Sequence, residues 1–496
     1  MNFPLLSAQE AARLIKDKEV LGIGGFSSVG TPKLVPMALA EYARELHSEG
    51  KEFKVGLITG GAAGSLIDGA LAQADAVFMR TPFQSDKDMR NSINSGKVAY
   101  FDLHLSHIGQ DVRYGFLPKI DVAIIEASDI TAEGEITLST SVGISPTLVQ
   151  QADRVIVELN RIHKGKLKGM HDIFLLDNPP YRKEIPIYRV NDRVGSCTLK
   201  VDPKKIVAVV ESEVKDRIAP FTPLNETTQR IGNNVAAFLL NEWRKGGIPK
   251  EFLPLQSGVG NVANAVLGAL GEDTHLPAFS MFTEVIQNSV IDLMMKGRIS
   301  FATGSSFTLS EDKLDMMYEN LDFFKERVLL RPQEITNHPE MVRRLGIIAV
   351  NTALEADIFG NVNSTHVMGS KMMNGIGGSA DFSRNAFLSI FTTPSTAKDG
   401  LISSIVPQVS HVDSTEHDVR VLVTEQGVAD LRGKSPKERA ACIIENCAHP
   451  DYKELLWDYV KLSEGKGYHT PFSLKNALKM HLAFAETGDM RNTKYE

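Results

Sequence analysis

Short apolar runs recur along the chain without polar alternation. They include Val55-Gly56-Leu57-Ile58-Thr59, Asp121-Val122-Ala123-Ile124-Ile125-Glu126, Arg154-Val155-Ile156-Val157-Glu158 and Ile206-Val207-Ala208-Val209-Val210-Glu211. Gly346-Ile347-Ile348-Ala349-Val350 and Val419-Arg420-Val421-Leu422-Val423 follow later. Unbroken β-branched runs suit strands covered on both faces, and the longer helical patterns between them supply the crossovers that parallel strands need. The pattern predicts an α/β protein with mainly parallel, open sheets.

The two halves carry a faint repeat. Glu126-Ala127-Ser128-Asp129-Ile130, then Gly134-Glu135-Ile136-Thr137 and Ser139, parallels Glu355-Ala356-Asp357-Ile358, then Gly360-Asn361-Val362-Asn363 and Ser364. Gly60-Gly61 has a counterpart in Gly258-Val259-Gly260, and the run ending at Glu211 resembles the one ending in Thr424-Glu425. Repeated order predicts two similar α/β domains, 1–222 and 223–496, divided at the turn-rich Pro220-Phe221-Thr222-Pro223 before a helix from about Thr227. A ligand is then expected between the halves, at strand C-terminal ends. Asn337-His338-Pro339-Glu340 reads as a capped helix start, Ser310-Glu311-Asp312-Lys313 as another, and the polar tail after Gly488 as a fraying end.

Composition narrows the function. The 496 residues are 43% hydrophobic and 23% charged, with a net charge of −7, so cores are ample and no basic run invites nucleic acid or an anionic membrane. Cys197, Cys442 and Cys447 cannot build a disulfide framework and read as buried free thiols in a reducing compartment. The N-terminus lacks a leader pattern and no apolar run reaches the ~18 residues of a membrane span, so a cytoplasmic protein is expected.

Candidate chemistry begins with glycine turns: Gly22-Ile23-Gly24-Gly25, Gly60-Gly61, Gly258-Val259-Gly260-Asn261 and Gly375-Ile376-Gly377-Gly378. Such turns can aim backbone N–H groups at an anion, although most turn glycines are structural. Gly22-Ile23-Gly24 lacks the rest of a dinucleotide fingerprint, and neither a phosphate loop nor a G-x-S-x-G elbow is present. Glu284 stands alone in apolar Ser280-Met281-Phe282-Thr283-Glu284-Val285-Ile286-Gln287, ahead of a helical pattern from Val285 to Met295. It reads either as dipole compensation in a first helical turn or as a raised-pKa acid or covalent nucleophile. Glu425 leaves a strand, Asn337 suits a helix cap, and Lys398 is a solvated loop lysine or a phosphate contact. The 13 histidines show no metal motif, His104 and His107 included, so no metal is expected.

Taken together, five segments resemble the acetyl-CoA hydrolase/transferase family, the class I CoA-transferases. They are Gln256 to Val266, Thr283 to Gln287, Arg331-Pro332-Gln333-Glu334-Ile335 with Asn337-His338-Pro339, Gly375 to Phe382, and Thr424 to Gly433. The likeness runs from about Leu21 to Leu482. It implies two similar α/β domains with the nucleophile in the C-terminal one, an active site at their interface, and a homodimer. It also implies exchange of CoA between an acyl-CoA, succinyl-CoA favoured, and acetate.

Residue by residue, Glu284 matches the family's glutamate nucleophile. Gly258, Val259, Gly260, Asn261 and Val262 match the stretch that contacts CoA, and Asn374, Lys398 and Leu354 match further CoA contacts. The Val259 and Gly378 amides match the two oxyanion donors, while Asn337, Glu425 and Arg217 match orienting positions. The resemblance implies CoA as substrate and no other cofactor. A hydrolase using the same glutamate, a propionyl- or butyryl-CoA donor, and a non-catalytic CoA-binding module are the alternatives.

Overall fold

The computed structural model describes residues 3–218, 224–464 and 469–496. The predicted boundary turn at Pro220 to Pro223 lies outside them. The chain forms two compact units that are not contiguous in sequence. One comprises the described residues of Met1–Pro220 with Ser280–Leu345 and Asn374–Asp381; the other takes Gly346–Met373, Phe382–Glu496 and the stretch ending at Phe279. The expected division into 1–222 and 223–496 therefore misplaces two segments, and the predicted nucleophile Glu284 belongs with the N-terminal residues.

In the first unit seven strands run parallel, in the order Ala99–Tyr100, Val77–Thr81, Val55–Thr59, Val20–Ile23, Val122–Ile130, Arg154–Asn160 and Ile206–Ser212. Glu135–Leu138 and Leu199–Lys200 add an antiparallel flap. Val20–Ile23 and Val55–Thr59 are buried at every position, as unbroken apolar runs demand. One core joins Leu21, Leu57 and Ile124 to Val35, Leu39 and Ala43 of the helix Leu34–Ser48. That helix opens on the buried Glu158 carboxylate, which accepts the Lys33, Leu34 and Val35 N–H groups. An acid there satisfies orphan donors and complements the helix dipole.

In the second unit Leu255–Ser257, Ile348–Thr352, Leu388–Thr392 and Val421–Val423 run parallel, and Val428–Asp430 closes the edge as a hairpin. The helices Glu226–Arg244 and Asn261–Glu272 approach closely at Gly232, where a Cβ would lie 2.5 Å from that of Ala265. Glycine permits that contact.

The repeat is real but its glycine pairing shifts. Leu255–Ser257 neighbours Ile348–Thr352 as Val20–Ile23 neighbours Val122–Ile130. By sheet position, the Gly258 turn therefore corresponds to Gly24-Gly25 rather than to Gly60-Gly61. The Glu126 and Glu355 segments do correspond, each folding back antiparallel on the segment after its glycine turn. Two smaller expectations also change. The tail is anchored, with Met490 buried and the Glu496 carbonyl accepting from Asn476 Nδ2. Cys197 is exposed rather than buried.

Candidate active site

Glu284 does not open a helix. It lies in a kink between the strands Phe279–Phe282 and Val285–Gln287, and the helix starts only at Asn288. Its carbonyl accepts the Ser305 N–H at 2.7 Å and the Ser306 N–H at 3.2 Å, while Val285–Gln287 pairs in parallel with Ser306–Thr308. The side chain is thereby aimed by long-range pairing. Val285 packs with Phe26, Leu105 and Phe83 in a small apolar cluster beside it.

Glu284 keeps partial exposure as a residue, but its carboxyl group is buried. Burial pushes its pKa up to about 7, opposed by one hydrogen bond from Asn337. Asn337 Nδ2 donates to Glu284 Oε1 at 2.6 Å and lies 3.4 Å from Asp381 Oδ2, while Asn337 Oδ1 accepts from Thr336 Oγ1 at 2.9 Å. The expected capping role of Asn337 is overturned: His338 precedes the helix Pro339–Leu345 and its Nδ1 accepts the Glu340 N–H. The amide oxygen that a cap would use accepts from Thr336 instead, and the Nδ2 end faces two buried carboxyl groups.

Gly378 completes the group. A Cβ at this position would overlap both the Glu284 carboxylate and the Asn337 amide, so only glycine lets the backbone come this close. Its loop is held by Ile376 N–H on Asp102 Oδ2 at 2.7 Å and by Leu105 N–H on the Gly377 carbonyl at 3.3 Å. Asn374, at the start of the loop, accepts the Tyr100 hydroxyl on its carbonyl, and its buried Oδ1 has no hydrogen-bond partner among the described residues.

Arg217 is exposed beside a small cavity lined by Ser28, Thr31, Lys33 and Ser65, and it makes no contact with Glu284. Its neighbour Asp216 is buried against Lys33 Nζ at 2.8 Å. Among the described residues, only Glu126, His163 and Asp216 cluster as metal ligands could, and the Lys33 ammonium already bridges Glu126 and Asp216.

The remaining predicted residues lie in the second unit, in loops leaving the C-terminal ends of its parallel strands. Gly258 to Gly260 follow Leu255–Ser257, with Val259 54% exposed and Asn261 and Val262 opening a helix. Leu354 follows Ile348–Thr352, Lys398 lies beyond Leu388–Thr392, and Glu425 follows Val421–Val423. One sheet edge thus presents all of them, where open parallel sheets bind ligands. Lys398 is exposed with its Nζ over the Phe484 ring. Burial alone would raise the Glu425 pKa, but hydrogen bonds from the Ser395 hydroxyl and N–H hold it below the usual carboxylate range.

Residues 3–211 match the acetyl-CoA hydrolase/transferase N-terminal domain and residues 314–460 the C-terminal domain. The chain belongs to the acetyl-CoA hydrolase/transferase family. It is 49% identical to a succinyl-CoA:acetate CoA-transferase of Clostridium kluyveri over 98% of this chain and 90% of that protein. It is 47% identical to a propanoyl-CoA:succinate CoA transferase of Escherichia coli over 98% of each. An acetyl-CoA hydrolase of Candida glabrata is 44% identical over 97% of this chain and 94% of its own. A solved 4-hydroxybutyrate CoA-transferase from Porphyromonas gingivalis shares the fold, with a TM-score of 0.62 at 21% identity over 92% of this chain and 97% of that one. Among the described residues of this family member, no helix is long and apolar enough to cross a membrane.

Sequence reasoning passed over Asp381 and Ser106. Ser106 donates its N–H at 2.9 Å and its hydroxyl at 2.6 Å to the Asp381 carboxylate. Asp381 stood in the G-G-S-A-D-F segment, which was the available signal; nothing in the sequence marked Ser106.

Proposed function

We propose that this enzyme transfers CoA between an acyl-CoA, succinyl-CoA favoured, and acetate, through covalent intermediates on Glu284. The observation that carries the reading is a buried carboxyl group with a single amide donor, set against the Gly378 backbone. A carboxylate stripped of water is a stronger nucleophile, and glycine leaves room for a reacting carbonyl beside it.

Glu284 attacks the thioester carbonyl, forming an acyl–glutamyl anhydride and expelling CoA thiolate. The thiolate attacks the glutamyl carbonyl, releasing the first acid and leaving a glutamyl–CoA thioester. Acetate then runs the two steps in reverse. Each attack places negative charge on a carbonyl oxygen, and the Gly378 and Val259 amides are its donors in this reading; losing one such donor typically costs ~10²–10³ in rate. Gly258 to Val262, Leu354, Asn374 and Lys398 contact CoA, while Asn337, Glu425 and Arg217 orient reacting groups. CoA is a substrate and no further cofactor takes part. A cytoplasmic location and a homodimer belong to the same reading.

The Clostridium kluyveri relative supports succinyl-CoA and acetate, and the Escherichia coli relative makes propanoyl-CoA the competing donor. The Candida glabrata relative supports a second reading, with water as acceptor. Following thiol release and acyl exchange with succinyl-CoA, with and without acetate, separates them. Acetyl-CoA should form in step with succinate with little free CoA; equal free CoA without acetate would establish a hydrolase. Glu284→Ala should lower either activity by about 10⁴-fold or more, and full turnover would refute the nucleophile.

A further inference from the structure

Among the described residues, the one donor to the Glu284 carboxyl group is the Asn337 amide, and an amide presents either an N–H or a carbonyl oxygen according to its rotation. Were Asn337 turned over, its oxygen would face the Glu284 carboxylate and repel it. Three neighbours prevent this. Thr336 Oγ1 donates to Asn337 Oδ1 on one side, while Glu284 Oε1 and Asp381 Oδ2 both face Nδ2 on the other. Asp381 is itself fixed by two donors from Ser106, in the first turn of the helix Leu105–Tyr114. The contacts form a chain, from Ser106 to Asp381, to Asn337, to Glu284.

We propose that Asp381 is a positioning residue for the reaction at Glu284, acting through Asn337 by holding its amide with the N–H toward the nucleophile. The inference rests on the reading of Glu284 as that nucleophile. Held this way, Asn337 occupies Oε1, and no donor among the described residues reaches Oε2, which remains available to attack the thioester.

The surroundings explain why the alignment depends on Asp381. Arg113, on the same helix as Ser106, is committed to Glu334, and His107 stacks edge-on against His104. Asp102, facing the glycine loop, accepts the Ile376 N–H. Burial raises the Asp381 pKa to about 7 despite the Ser106 donors, and the Glu284 charge adds to the rise. The Asn337 amide lies between the two carboxyl groups, and its orientation matters to both.

A double-mutant cycle in the acyl-exchange assay tests the inference. Asp381→Leu removes both acceptor oxygens at a similar side-chain size, and Asn337→Ala removes the amide. Each single variant should lower kcat by about 10- to 100-fold with KM for acyl-CoA within about threefold of the parent. If Asp381 acts through Asn337, the double variant should be no slower than Asn337→Ala alone. Multiplied losses in the double variant, or parental kcat in Asp381→Leu, would overturn the inference. So would a loss carried by KM alone.

Should Asp381→Leu fail to fold, Ser106→Ala replaces it in the same cycle. That change removes one of the two donors holding Asp381 and should cost about 3- to 10-fold in kcat, but nothing further in the Asn337→Ala background. An equal loss in both backgrounds, or none in either, would overturn the inference. Glu284→Ala, measured alongside, keeps the two readings apart. Activity in that variant removes the nucleophile itself, whereas an inactive Glu284→Ala with multiplied losses removes only the role of Asp381.

Discussion

Glu284 in the first unit and Glu425 in the second are both predicted site carboxylates, and their surroundings differ sharply. Glu425 takes a hydroxyl and an N–H from Ser395 and a further bond from Gln426, which together outweigh burial and hold it ionised. Glu284 has one amide donor, and burial prevails, raising its pKa to about 7. Donor number decides the outcome, because each hydrogen bond to an ionised carboxylate offsets part of the cost of losing water. A carboxylate held by three donors is a fixed charge, suited to orienting something else. One held by a single donor is ready to share its electrons.

The largest effect should come from crowding the reactive member of the pair. In Gly378→Ala the new methyl would overlap the Glu284 carboxylate and the Asn337 amide. Both side chains must move, so transferase kcat should fall by at least ~10²–10³, because a nucleophile loses rate steeply with misplacement. The added carbon should also cost ~1–3 kcal/mol of stability. Activity within threefold of the parent would mean that Glu284 tolerates displacement and that its close approach to Gly378 is incidental.

The second test concerns stability and sharpens the contrast. The Glu284 carboxyl moves from an ordinary 4.5 up to about 7 on folding. The folded state therefore holds its proton more tightly than the unfolded one, and stability is lost as pH rises from about 4.5 through about 7. For a buried group that shift corresponds to a cost of at most about 3 kcal/mol above neutrality. Glu284→Gln removes the titration. It should melt at a higher temperature than the parent at pH 8, with the difference closing at pH 4 to 5. Identical melting at both ends of the range would show that the carboxyl is better solvated than its surroundings indicate. A higher melting temperature of Glu284→Gln at pH 8 would instead mark the proposed nucleophile as a site where stability has been given up for function.

How far the sequence revealed this pair depends on which forces set each residue. The parallel strands were legible because burial on both faces leaves an unbroken apolar run, as in Val55–Thr59 and Arg154–Asn160. Glu425 was legible as a residue leaving a strand. The local structure of Glu284 was not: the apolar pattern from Val285 to Met295 fits a helix, but pairing with Ser306–Thr308 makes its first residues a strand. Asn337 was misread for a related reason, since a cap is a local preference and the carboxylates that claim its amide are distant in sequence. The discontinuous first unit was beyond reach as well, because periodicity along a chain says nothing about which unit a later segment rejoins. Family resemblance singled out Glu284 and Gly378 as candidates where local pattern alone left them open, whereas Asp381 and Ser106 emerged only with their contacts.

The smallest expected effect comes from weakening the other member of the comparison. Ser395→Ala removes the hydroxyl donor to Glu425 and leaves the Ser395 N–H in place at 2.9 Å. The pKa of Glu425 is lowered on folding, so its contribution to stability is present above the ordinary value of 4.5 and disappears as pH falls through the lowered one. Losing one donor to a charged acceptor costs ~1.5–3 kcal/mol, and the lower end applies here because the Ser395 N–H and the Gln426 amide still donate to Glu425. The variant should thus be less stable than the parent at pH 7 to 8, and the deficit should shrink in acid. Glu284→Gln should be more stable over the same neutral range, so the two substitutions carry opposite signs there. If Ser395→Ala is as stable as the parent at neutral pH, the remaining donors suffice, and the contrast between the two glutamates rests on burial alone rather than on donor number.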